Sequence, residues 1–162
     1  MKSPSRPADR HIAAASICTN AAIRRAARRM SQIYDEAFAS CGLRATQYSL
    51  LAQVDRSDRP TMRALADHLV MDLSALGHTL KPLVRDGLLE LVMDEEDRRS
   101  RRVHLTKLGR ARLKAAQAIW KKVHVSFDSA FGDKDAVRFR ATLDFIASPA
   151  FSERMAAALQ ST

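Results

Sequence analysis

The stretch Asp94–Gly109, DEEDRRSRRVHLTKLG, constrains the fold more than any other part of the chain. Four acidic residues run into four arginines that are interrupted by one serine. The segments on either side, Leu88–Asp94 and Arg101–Leu105, alternate apolar and polar residues, which is the period of a half-buried strand. They place Leu89, Leu91 and Met93 on one face, and Val103 and Leu105 on the face of the second strand. We therefore predict a small β-hairpin whose tip carries the charge reversal.

The rest of the chain is predicted to be helical. Apolar residues between about His11 and Cys41 recur at steps of three and four and form one stripe, from Ile23 to Cys41. Such a long stripe exceeds what one small core can cover, so we expect part of it to meet a partner chain. Gly42 should end this helix, and Thr46 should cap the next one.

Two short helices precede the hairpin. Thr61 is the expected cap of the first, and after the link Val70-Met71, Asp72 is the expected cap of the second. The second helix should turn one apolar face inward and end at Gly87, with a kink or tightened turn at Pro82. The inward residues are Leu73, Leu76, Leu80, Leu83 and Val84. Two short helices joined by a tight turn predict a helix-turn-helix.

Three capping residues follow the hairpin. Thr106 should cap a long helix that ends at Gly132, Asp133 should cap another, and Ser148-Pro149 should begin a final helix. The fold class is mainly α with a small β-hairpin: a winged helix-turn-helix region at residues 46–105. Helices of residues 11–45 and 106–162 flank it, and residues 1–10 are predicted to be a disordered tail.

Charge and composition limit the function. The net charge of +9 and the pI of about 10.2 indicate a polyanionic partner, nucleic acid first and an acidic membrane surface second. No segment reaches the roughly 20 apolar residues of a membrane span, and no signal peptide is evident, so we expect a cytoplasmic protein. The five histidines and two cysteines form no metal-binding pattern, and no phosphate loop or nucleophile elbow is present. We expect no enzyme activity, no metal and no cofactor.

The sequence also resembles a known family. The wing pattern D-x-x-D-R-R-x-x-R followed by Leu-Thr-x-x-Gly, the segment LADHLVMDLSALGHTLKPLVRDGLLEL and the upstream GLRATQYSLLAQ are similar to the MarR family of bacterial transcription regulators. The similarity runs from about Ile12 to Phe131. It implies a homodimer whose end helices intertwine and whose two winged domains bind an inverted repeat in double-stranded DNA.

The resemblance assigns expected DNA contacts to the recognition helix and the wing. We expect Arg63 to hold a phosphate, and an arginine-rich wing to neutralise backbone charge or enter a narrow minor groove. Asp97 is expected to orient the guanidinium of Arg99; the alternative is that Asp94 to Asp97 simply solvate a turn. Leu73 and His78 stand where the family often has arginine. The expected DNA-binding residues are Arg63, Ser74, Ala75, Gly77, His78, Lys81, Arg98, Arg99 and Arg101.

The resemblance also implies a ligand. Family members often bind small aromatic or anionic molecules between the dimerisation helices and the winged domain, and Arg28, Tyr34 and Tyr48 are the candidates here. The alternative for these residues is ordinary core and a solvated helix face. Two other functions stay open: a thiol-based redox sensor that uses Cys18, and an architectural or protein-docking winged helix without a ligand. Sequence preference separates a regulator from an architectural protein.

Overall fold

The computed structural model describes residues 18–161. Helix α1 (Thr19–Phe38) continues into a 3-10 turn (Ala39–Cys41), and α2 (Ala45–Arg56), α3 (Met62–His68) and α4 (Leu73–Arg85) follow. Strands β1 (Leu89–Met93) and β2 (Arg101–Leu105) form the hairpin. Helices α5 (Lys107–Phe131), α6 (Asp133–Ile146) and α7 (Pro149–Gln160) complete the chain. The predicted disordered tail and the start of the first predicted helix lie outside the described residues.

The strands pair antiparallel, with Leu89 opposite Leu105 and Met93 opposite Arg101. Residue Thr61, just before α3, makes one further bridge to Arg102 on the other side of β2. The hairpin therefore leans on the start of α3 and leaves one edge of β1 open. This arrangement of α2, α3, α4 and hairpin is a winged helix, as predicted.

One core joins the winged region to the helices around it. Phe38 from α1, Leu51 from α2 and Leu65 from α3 are buried in it, together with Leu76, Leu80 and Leu83 of α4. Leu89, Val103 and Leu113 bring the hairpin and α5 into the same cluster. Burial of these side chains supplies the main driving force for folding.

Four predicted caps are confirmed. The side-chain oxygens of Thr61, Asp72, Thr106 and Ser148 accept hydrogen bonds from the backbone N–H groups three residues on. Gly42 and Gly87 both adopt positive φ, 68° in each case, as expected for residues that follow a helix. Pro82 lies inside α4 without dividing it.

Two predicted caps are wrong. Helix α2 begins at Ala45, so Thr46 is already helical, and the backbone N–H of Ala45 donates to Asp35 Oδ1 of α1 at 2.6 Å. Gly132, at φ 96°, occupies the cap position of α6, and Asp133 is the first helical residue. The Gln47 side chain accepts the backbone N–H of Arg44 at 2.9 Å, so a residue three positions on and a neighbouring helix both hold the start of α2.

Leu73, predicted to face inward, is exposed, and so are Leu91 and Met93, predicted to share one strand face with Leu89. Leu73 is 41% exposed at the start of α4, and Leu91 and Met93 of β1 are 41% and 47% exposed. Only Leu89 of β1 is buried. A two-stranded wing covers the core at its base alone, so strand alternation does not translate into burial further out.

Candidate DNA-binding surface and adjoining cleft

Helix α4 presents a polar face opposite its buried leucines. Ser74, His78 and Lys81 are exposed along this face at a spacing of one helical turn each, and Ala75 and Gly77 are half-buried beside them. A Cβ placed on Gly77 would meet no atom within 4 Å. The face is therefore shallow and open, which suits insertion into a major groove of about 12 Å.

Two further side chains lie beside the polar face of α4: a cation on α3 and an apolar group at the start of α4. Arg63 is exposed in the first turn of α3, two residues after Thr61, whose capping hydroxyl accepts from the Ala64 N–H at 3.1 Å. Thr61 thus acts as a cap. Exposed Leu73 puts an apolar group beside the polar face, where a thymine methyl group is the complementary base feature.

The wing tip carries three free guanidinium groups. Arg98, Arg99 and Arg101 are exposed. Within residues 18–161 their side chains form no hydrogen bond or ion pair, and Arg99 uses only its backbone N–H. Guanidinium groups that are not engaged within the protein remain available to phosphate oxygens.

The predicted contact between Asp97 and the guanidinium of Arg99 is wrong. Asp97 Oδ1 accepts the backbone N–H of Arg99 at 3.0 Å and so shapes the turn. The ion pair of the wing joins Asp94 Oδ2 to Arg102 Nε at 2.5 Å. Asp94 is buried, and its other oxygen accepts the N–H groups of Glu96 and Asp97. These N–H groups and Arg102 hold the pKa of Asp94 below its ordinary value.

Arg102 also anchors the wing to the loop between α2 and α3. Its Nη1 donates to the carbonyl of Arg59 at 3.1 Å, and the Val103 N–H donates to the carbonyl of Pro60 at 2.9 Å. Asp58 and Arg59 adopt φ of 44° and 62°, a conformation that residues other than glycine rarely adopt. Sequence reasoning missed this anchor because residues 59 and 102 are remote in sequence.

Two of the three candidate ligand residues come together. A cleft of about 310 Å³ opens between α1, α2 and α5, and we name it the α1–α2 cleft. Arg28, the third candidate, is exposed on α1 and is not part of its lining. The lining residues are Met30, Ser31, Tyr34, Ala45, Tyr48, Ser49 and Trp120.

Aromatic stacking connects this cleft to the long helix. The ring of Tyr48 lies 4.7 Å from that of Phe38 and 6.4 Å from that of Trp120. Trp120 in turn stacks on His124 at 4.8 Å. Burial raises the pKa of both Tyr34 and Tyr48, so both phenols stay neutral hydrogen-bonding groups at physiological pH.

The cysteines lie apart from the cleft. Cys18 is exposed at the N-cap position of α1. Cys41 is half-buried, and its thiol donates to the carbonyl of Phe38 at 3.1 Å. Within the described residues, no group of three or more His, Cys, Asp or Glu side chains could hold a metal ion, and no helix there has the length and apolarity to cross a bilayer.

Comparison with known proteins agrees with this geometry. The model of the MarR family matches residues 42–100. The transcriptional regulator MosR of M. tuberculosis, solved in complex with DNA, is 33% identical with a TM-score of 0.74 over 85% of this chain and 98% of that chain. Among curated protein sequences none matches the chain significantly.

Two further solved structures share the fold. CouR, a transcriptional repressor of Rhodococcus jostii RHA1 solved on a 23-mer DNA duplex, is 25% identical with a TM-score of 0.72 over 82% of this chain and 94% of that chain. BpsR of Bordetella bronchiseptica is 20% identical, with a TM-score of 0.70 over 81% and 94% of the two chains. The latter likeness is one of fold alone.

Proposed function

The chain belongs to the MarR family of DNA-binding transcriptional regulators, and from that premise we propose that it is a homodimeric repressor of the bacterial cytoplasm. In this proposal it binds an inverted repeat and leaves it when a small aromatic or anionic ligand binds. Its relatives are regulators rather than enzymes. The polar surface of α4 and the wing is suited to binding DNA.

One observation supports the DNA-binding role of particular residues. The polar face of α4 (Ser74, His78 and Lys81) and the wing guanidiniums of Arg98, Arg99 and Arg101 are exposed, and none of these side-chain groups has a partner among residues 18–161. Wing cations that neutralise phosphates release counterions and supply affinity. Polar side chains on the inserted helix then read base edges. Arg63, Ala75 and Gly77 complete the proposed contact surface.

The end helices support pairing with a second copy. No residue of α7 is buried, and α6 buries only Ala136. Their exposed apolar side chains are Val137, Phe139, Leu143, Phe145, Met155 and Leu159. Exposed apolar side chains on both end helices indicate an interaction site, and a twofold dimer would present two recognition helices to the two halves of an inverted repeat.

The α1–α2 cleft supports release by a ligand. Its aromatic wall and hydroxyl groups suit a small aromatic molecule, and it joins α1 of the dimerisation region to α2 of the winged region. CouR has been solved with p-coumaroyl-CoA, and the DNA binding of BpsR is regulated by 6-hydroxynicotinic acid. A ligand that prefers one spacing of the two winged regions would shift DNA affinity by linkage.

The test is a selection of bound duplexes from a random pool, followed by titration of the selected site. We expect one palindromic site, bound about 1,000-fold or more tightly than random duplex, and steep weakening with salt. Repeating the titration with a panel of aromatic acids should release the protein. Steep salt dependence without sequence preference would favour the architectural function instead. Release by peroxide that Cys18→Ser abolishes would favour the redox sensor.

A further inference from the structure

Two exposed apolar side chains interrupt the surface that the proposed function assigns to DNA. Val70 is 70% exposed in the turn between α3 and α4, and Leu73 is 41% exposed as the first residue of α4. We name this pair the turn patch. The exposed residues of α3 and α4 that are already proposed to contact DNA are all polar or charged: Arg63, Ser74, His78 and Lys81. The turn patch therefore differs in chemistry from the rest of the proposed contact surface.

The backbone at Val70 favours glycine. Its φ is 53°, in the left-handed region that β-branched residues rarely adopt and that glycine adopts at little steric cost. Two hydrogen bonds of a tight turn hold this conformation. The Val70 N–H donates to the Asp67 carbonyl at 3.2 Å, and the Met71 N–H donates to the Ala66 carbonyl at 2.9 Å. The chain thus keeps an exposed valine where its own fold favours glycine, which points to a use for the side chain.

The start of α4 is unsuited to phosphate. Asp72 lies between the two residues of the turn patch in sequence, and its Oδ1 accepts the Ala75 N–H at 2.7 Å. This carboxylate occupies the positive end of the helix dipole and would repel a second anion there. Residues 69–76 include no lysine or arginine. Because the first residues of a recognition helix contact base edges, the turn patch should meet bases rather than the sugar-phosphate backbone.

Ser74 adds a polar group next to Leu73. Its side chain is exposed, and its hydroxyl has no hydrogen-bond partner among residues 18–161. A hydroxyl both donates and accepts, so it can serve the O4 acceptor of thymine and the N4 donor of cytosine alike. The major-groove edge of a pyrimidine offers one apolar feature, the methyl group at C5 of thymine. That methyl group is the complement of the turn patch.

We propose that Val70 and Leu73 together contact the C5-methyl group of one pyrimidine in each half of the operator. Thymine and 5-methylcytosine carry this group, whereas uracil and unmethylated cytosine lack it. The inference rests on the proposed function, and it names the base feature that the start of the recognition helix recognises. It also adds a new property, because methylation of a cytosine at this position would strengthen binding.

Selection of bound duplexes from two random pools, one made with deoxythymidine and one with deoxyuridine, locates the base. The first pool should yield thymine at one position in each half-site, and the second should show no preference for uracil there. Anisotropy titrations of the selected operator then measure the methyl group. Replacing this thymine by uracil should weaken binding about fourfold in one half-site and about 15-fold in both, the value of one buried methyl group. Cytosine placed there should bind about fourfold more weakly than 5-methylcytosine.

Two variants connect the methyl group to the turn patch. Leu73→Ala and Val70→Gly should each bind the thymine operator more weakly and reduce the ratio of thymine to uracil affinity. Both should fold, because alanine favours the helix and glycine suits the φ of residue 70. Leu108→Ala is the matched control. It removes a 50% exposed leucine from the first turn of α5 and should keep the fourfold ratio.

The outcomes separate this inference from the proposed function. Equal affinity for the thymine and uracil operators would overturn the methyl contact and leave the sequence-specific regulator standing. A thymine-to-uracil ratio that Leu73→Ala or Val70→Gly leaves unchanged would do the same. If neither pool yields a preferred site, the proposed function and the methyl contact both fall.

Discussion

At the scale of single residues, the acid that pairs with an arginine of the wing is Asp94, the first of the four acids, and not Asp97, the last. Asp94 is buried and bound by two backbone N–H groups and by Arg102, so Arg102 is committed to the wing base. The other three arginines have no side-chain partner among residues 18–161 and remain available for the proposed DNA contact. Sequence spacing alone permits several acid–arginine pairs here. The hairpin register and the loop carbonyl of Arg59, which is 43 residues away, select among them.

The depressed pKa of Asp94 makes wing stability depend on pH. The folded pKa lies below the ordinary 3.8, chiefly because the N–H groups of Glu96 and Asp97 favour the ionised carboxylate. The stabilisation is therefore complete above about pH 4 and is lost as pH falls through the folded value. We expect Asp94→Asn to lower the melting temperature at neutral pH, and the gap to the natural chain to narrow below about pH 4. Melts of Glu95→Gln are the control, and a gap independent of pH would contradict the assignment.

The proposed division between wing and recognition helix predicts two different DNA-binding defects. Arg99→Ala should weaken binding to all duplexes and reduce the salt slope by about one unit. His78→Ala should change preference at one or two base pairs, each worth roughly 1–3 kcal/mol, with the salt slope preserved. Anisotropy titrations at several salt concentrations measure both. Arg138→Ala, an exposed arginine on α6, is the matched control and should change neither.

At the scale of elements, the pattern Leu-Thr-x-x-Gly joins the wing to α5. The Thr106 hydroxyl donates to the carbonyl of Gly87 at 2.6 Å and accepts the N–H of Gly109 at 2.9 Å. A Cβ on Gly109 would overlap the carbonyl oxygen of Leu88. The glycine therefore lets α5 pack directly against the start of β1, which fixes the base of the wing.

Two glycine substitutions should have opposite effects on stability. Gly109→Ala forces backbone apart and should cost about 1–3 kcal/mol or more. Gly77→Ala meets no atom within 4 Å inside α4 and should stabilise the fold by about 0.8–1 kcal/mol through helix propensity. Urea denaturation of the two variants measures both effects. Equal losses of stability would show that the packing at Gly109 does not matter in the way described.

Some features of the helices and strands can be predicted from the sequence, and others cannot. Caps at Thr61, Asp72, Thr106 and Ser148 are predictable because each involves a side chain and a backbone group three residues apart. The start of α2 is only partly predictable, because Asp35 of another helix accepts the Ala45 N–H in addition to the local contact of Gln47 with Arg44. Exposure of Ser74, His78 and Lys81 follows from helical period, whereas exposure of Leu91 and Met93 depends on how far the wing projects from the core. The anchoring of Arg102 to the carbonyl of Arg59 is visible only in the folded chain.

At the scale of the whole molecule, the apolar residues divide between one shared core and the faces of the end helices. The core around Leu51, Leu76 and Leu113 is closed within one chain. Helices α6 and α7 expose Val137, Leu143 and Leu159 at 61%, 37% and 72%. Burying such side chains against a second copy would gain roughly 25 cal/mol for each Å² of apolar surface. The same pairing would set the spacing of the two recognition helices.

Introducing charge at the exposed apolar residues of α6 and α7 should therefore separate the subunits. The same change should weaken operator binding. We expect the natural chain to sediment at twice its 18.0 kDa mass. The double variant Leu143→Glu and Leu159→Glu should shift towards the monomer, because an unpaired carboxylate is costly to bury. Its operator affinity should fall to that of a single half-site, although its wing and recognition helix are intact. Leu108→Glu, at a residue 50% exposed on the first turn of α5, adds one carboxylate outside α6 and α7 and should remain dimeric. Dimeric mass in the double variant would refute the proposed pairing.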